Sequence, residues 1–112
     1  MISSALALML LMAPAADNTP TARRAYSACL NQFIAKTLDD KLEPTAFDSA
    51  VPTACTDKAE ALRRAAVSAA VAAKRKSKDA EEMVSGDIED YQANAKEMFR
   101  EYKEKGVKPP LQ

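Results

Sequence analysis

Few side chains in this 112-residue chain can do chemistry, and its only two cysteines, Cys29 and Cys55, come first among them. A redox catalyst uses the C-x-x-C spacing, which lowers the pKa of the attacking thiol. These two are much further apart. The competing structural readings are a disulfide and a pair of buried free thiols, and in an exported chain the disulfide is expected. The sequence contains no histidine, so it offers no Ser-His or Cys-His pair and no imidazole metal ligand. The acidic group Asp87, Glu89 and Asp90 lacks the glycine and terminal glutamate of an EF-hand loop. No metal, cofactor or catalytic residue is expected, and the chain reads as a non-enzyme.

The other chemically distinct stretch is basic. Residues 74–78 read KRKSK, and neutral Ser77 separates the cations Lys74, Arg75 and Lys76 from Lys78. Residues 53–78 carry a net charge of +5 and residues 79–90 a net charge of −6, so the two zones are electrically opposed. Such runs are commonly a solvated helix face, with Arg75–Asp79 and Lys78–Glu82 as i to i+4 neighbours. The functional alternative is an anion-binding surface for membrane or envelope. A third reading is antiparallel self-association, basic zone against acidic zone. With 16 basic and 16 acidic residues the chain is formally neutral, which argues against a dedicated nucleic-acid binder.

Compartment and class follow from the N-terminus and the composition. Residues 1–16 carry no charged side chain, run apolar over residues 5–13 and present an A-x-A pattern at Ala13, Pro14 and Ala15. That is the form of a secretory signal peptide, and the apolar run is shorter than the ~20 residues a membrane span needs. A periplasmic or secreted location is expected. The remaining ~96 residues suffice for one small domain. Two glycines, six prolines near element ends and abundant Ala, Glu, Lys and Leu favour an all-α fold.

Hydrophobic periodicity supplies the elements. Tyr26, Cys29, Leu30, Phe33, Ile34, Leu38 and Leu42 recur at helical steps and predict a helix over about 20–42, with Thr19 as its N-cap and Pro44 beyond its end. A short helix is expected at about 45–51. Eight alanines in residues 59–73, with Leu62, Val67 and Val71, begin a strong helical run. The stripe Leu62, Ala66, Ala69, Ala73 continues in phase through Ala80, Val84, Ile88, Tyr91, Ala95, Met98 and Tyr102. The expectation is one long helix over about 54–105, with Gly86 as the place where the pattern permits a kink or a break, and Gly106 as a left-handed cap.

The fold expected is therefore all-α: a disulfide-stapled helical hairpin leading into a long C-terminal helix, with residues 17–106 as a single helical domain and 107–112 as a flexible tail. A straight helix of that length would outrun the first, leaving Ile88, Tyr91, Met98, Phe99 and Tyr102 as an apolar stripe for a protein partner or a second copy in a homodimer. The leading functional reading is thus a structural or interaction protein of the bacterial envelope acting through its C-terminal helix. The alternative is a peripheral binder of anionic membrane through residues 74–78. A holdase-like periplasmic chaperone is the third, without the Leu-Thr-x-x-Gln repeats such chaperones often carry.

Overall fold

The computed structural model describes residues 17–110, so the expected signal peptide lies outside the described residues. Four α-helices and one 3-10 turn follow in order: α1 (Thr19–Asp39), α2 (Pro44–Ala50), the 3-10 turn (Val51–Thr53), α3 (Thr56–Ala72) and α4 (Ser77–Lys105). The fold is all-α, with a stapled N-terminal hairpin region and a long C-terminal helix. That C-terminal helix is shorter than expected. The run over 54–105 is two helices, broken at residues 73–76, while Gly86 lies inside α4.

Backbone hydrogen bonds explain where each helix stops. At the end of α3, Arg75 N–H donates to Ala70 C=O at 2.8 Å and Lys74 N–H to Val71 C=O at 3.0 Å, with Lys74 left-handed at φ 60°. This is a Schellman ending with lysine where glycine is usual. The same pattern closes α1: Leu42 N–H donates to Thr37 C=O and Lys41 N–H to Leu38 C=O, with Lys41 at φ 56°. That ending stops the helix at Asp39 and turns Leu42 onto the core. Gly106 (φ 68°) provides the left-handed cap of α4 as expected. At the other end of α1, Asn18 is the N-cap, and the Asp17 carboxylate accepts the Thr19 N–H at 2.9 Å.

The order of contacts gives the topology. Arg23 pairs with Asp87, Tyr26 meets Tyr91, and Asp39 pairs with Lys108, so α1 and α4 run parallel. Arg63 donates to Ser85 at 2.7 Å, and Ala70 lines the same cleft as Ala80, so α3 runs antiparallel to α4. The 29 residues of α4 span ~43 Å and the 17 of α3 only ~25 Å. Below the start of α3, α2 and the 3-10 turn take over as the third layer: Phe47 and Val51 are fully buried, Phe47 stacks on Phe99, and Asp48 accepts two hydrogen bonds from Arg100. One core runs the length of the bundle, from Val84, Ile88 and Leu62 through Tyr26, Leu30 and Ile34 to Phe99. Of the segment expected as a tail, residues 107–110 are described, and there Lys108 pairs with Asp39 of α1 and Pro109 is buried.

Gly86, inside α4, and Lys74, at the break, invite reciprocal substitutions. An added Cβ at Gly86 meets nothing within 4 Å, so Gly86→Ala should gain about 1 kcal/mol from helix propensity. Lys74→Gly should relieve the left-handed penalty, a net gain of about 0.5–1 kcal/mol after the greater freedom of glycine in the unfolded chain. Urea unfolding of both variants checks the position of the break. A Gly86→Ala protein less stable than the parent would place a turn at residue 86 and contradict this topology.

Candidate functional site

The cysteines meet as the spacing suggested. Cys29 on α1 and Cys55 at the start of α3 form a disulfide with a Cα–Cα distance of 6.0 Å. Cys55 is the N-cap of α3 and is itself left-handed, at φ 59°. Its sulfur joins the mid-region of α1 to the junction where the 3-10 turn gives way to α3, a structural position with no free thiol beside it among the described residues.

The stripe expected to await a partner is spent inside the molecule. Ile88 and Phe99 are buried, and Tyr91, Met98 and Tyr102 are partly buried against the same core. The reason is the break at 73–76. Because α4 folds back beside α3 and α1, the first helix and the α2 segment cover a face that a straight helix would have carried out of reach. Tyr26 and Tyr91 meet edge to face at 5.6 Å, and Gln92 reaches the Tyr26 hydroxyl at 3.4 Å.

The acidic group is likewise dispersed. Asp87 is engaged by Arg23 at 2.8 Å, while Glu89 and Asp90 are exposed. Among the described residues no three His, Cys, Asp or Glu side chains are placed to hold a metal ion. Asp48 is held below the ordinary carboxylate range, first by its hydrogen bonds from Arg100. That pair bridges α2 and α4 at the surface.

The basic run is the feature left exposed. Lys74, Arg75, Lys76 and Lys78 are exposed, and among the described residues none makes an ion pair. The expected neighbours Arg75 and Asp79 belong to a turn and to the next helix, so they are not one turn apart on a common face. Lys78 and Glu82 share α4 but form no salt bridge.

Beside this turn lies a cleft of about 700 Å³. Ala66, Ala69, Ala70 and Ala73 of α3 form one wall, and Ala80 and Val84 of α4 the other. The Arg23–Asp87 pair also lines it, and Lys74, Arg75 and Lys76 bring charge to it from the turn. Met83 lines it too and is 66% exposed, while Val71, three residues before Lys74, is 55% exposed. Sequence reading singled out the cations but missed the cleft, because it treated α3 and α4 as one rod. The signal was present: residues 74–79 are six consecutive polar residues, and Ser77 followed by Asp79 suits a helix start. Comparison of the chain with protein-family models, with curated proteins and with solved structures finds no match.

Proposed function

We propose that this is a non-enzymatic, exported protein of a bacterial envelope that docks on anionic surfaces through the turn between α3 and α4. The observation that carries the reading is the company the cations keep. Among the described residues the exposed large apolar side chains are Val71, Met83 and Val107, and the first two flank the basic turn. Unpaired cations beside exposed apolar groups suit the boundary between anionic headgroups and acyl chains. No helix among the described residues is long and apolar enough to cross a membrane, so the contact proposed is peripheral. The disulfide is consistent with an oxidising, exported location. An interaction role centred on α4, including a homodimer, has less apolar surface to draw on, because Ile88 and Phe99 are buried.

Co-sedimentation with vesicles tests this. The protein should bind vesicles rich in phosphatidylglycerol and not phosphatidylcholine alone, and 0.5 M salt should release it. Each Lys or Arg near an anionic surface contributes about 1 kcal/mol, less when screened, so replacing Lys74, Arg75, Lys76 and Lys78 with glutamine should weaken binding at least about tenfold. Binding equal to the parent's in that variant, or absent from the parent, removes the proposal.

A further inference from the structure

We propose that the cleft beside the α3–α4 turn is a binding site for a long-chain fatty acid, its chain lying over the alanines and its carboxylate held at the basic turn. The proposal deepens the surface-docking reading and rests on the same basic end of the molecule.

Three independent features meet there. The first is shape. Small-molecule sites typically enclose roughly 300–1,000 Å³ and are mainly apolar, and this cleft, at about 700 Å³, is walled by methyl groups that stop short of filling it. Ala69 and Ala73 carry no longer side chain that would close the space.

The second is charge. Arg23 and Asp87 are committed to each other, and Asp17 is engaged at the first turn of α1 by the Thr19 N–H. Of the charged residues that line the cleft, this leaves Lys74, Arg75 and Lys76 facing the carboxylates of Asp17 and Asp79, an excess of one positive charge. An anionic head group is the complement, and a guanidinium and two ammonium groups in one turn can hold a carboxylate by charge-assisted hydrogen bonds.

The third is an unanswered hydrogen-bond donor. Thr19 lines the cleft, is 9% exposed, and its Oγ1 has no hydrogen-bond partner. The hydroxyl is the leading cause, ahead of the Thr19 N–H, of the neighbouring Asp17 carboxyl lying below its ordinary value, yet no acceptor stands in bonding geometry to it. A buried hydroxyl without a partner asks for one, and a carboxylate oxygen at the cleft supplies an acceptor.

The experiment is displacement of a fluorescent fatty-acid probe from protein recovered from the periplasm of an expressing bacterium. Decanoate, dodecanoate and tetradecanoate should compete with affinities that rise about fourfold per added methylene, and decanol should compete at least tenfold less well than the acid of equal length. Ala69→Leu with Ala73→Leu fills the space; Ala73 is exposed and Ala69 only partly buried, so the helices should tolerate the change. With an unchanged thermal melt, that variant should lose at least tenfold in fatty-acid affinity and still bind anionic vesicles. Thr19→Val should weaken the acids and leave decanol unaffected. Equal affinity in the parent and the filled variant overturns the proposal, as does the absence of chain-length dependence. A concentration-dependent dimer abolished by the filled variant would assign the cleft to a second copy and also overturn it. Vesicle binding without fatty-acid binding removes this inference and leaves the surface reading standing. Fatty-acid binding without vesicle binding supports the cleft and removes the surface reading.

Discussion

A Phe99→Ala protein should lose about 3–5 kcal/mol of folding stability. Phe99 is fully buried on α4, with its ring 4.2 Å from that of Phe47 and within 8° of parallel; Phe47 in turn lies 5.4 Å from Phe33 on α1. Three elements thus meet in one aromatic stack, at the level where α3 no longer reaches and α2 must serve as the third layer. Removing the Phe99 ring leaves a cavity where α2 packs on α4, and a seven-residue helix cannot nucleate on its own to close it. Small domains are stable by only ~5–15 kcal/mol, so this change could consume a third or more of the total.

Urea unfolding measures the loss directly. A double-mutant cycle with Phe47→Ala should return about 0.5–1.5 kcal/mol of coupling beyond the cavity effect. The variant also separates two roles for the same residue. A ring that served only an external partner would leave stability nearly unchanged when removed, so a loss below about 1 kcal/mol would return Phe99 to the surface and reopen the reading of α4 as a recruiting helix.

The continuous helix on which that reading was built is not formed, for a physical reason which the stripe itself illustrates. Leu62 and Val84 are 22 residues apart, twice an 11-residue repeat, and in a continuous helix they would share a face. They also share the core of a hairpin. Periodicity reports which face of a helix is apolar but not whether the chain has reversed direction between two turns. Element type, the first helix, the short α2 and the disulfide were legible because each rests on local signals: spacing, prolines and cysteine context. The reversal rests on Lys74 adopting a left-handed conformation, which propensity assigns to glycine or asparagine. Gly86 drew attention as the apparent break, yet it lies within a helix that tolerates it. The cations at 74–78 were legible as charge. Their setting beside the alanine-lined cleft required the fold, because the two walls are separate helices.

Breaking the disulfide should be the other severe change, and its size can be derived from the loop it closes. Cys29 and Cys55 are separated by 26 positions, and the chain-entropy argument assigns about 3–4 kcal/mol to closing such a loop. Cys29→Ala with Cys55→Ala should lose about 3 kcal/mol and lower the melting temperature by roughly 12–24 °C. The backbone at residue 55 offers a separate gain. Cys55 is left-handed, and alanine at φ 59° retains the backbone penalty that glycine avoids. Cys29→Ala with Cys55→Gly should therefore be about 0.5–1 kcal/mol more stable than the double alanine variant. A native protein whose melting temperature is unmoved by reductant would sink the prediction. The loop enclosed by the bond contains the end of α1, all of α2 and the 3-10 turn, so reduction should raise amide exchange first in residues 43–55. The α3–α4 turn lies a further ~25 Å along α3 from the staple. At temperatures where the reduced protein is still folded, vesicle binding through that turn should persist, which separates the bond's role in stability from the basic end's proposed role in contact.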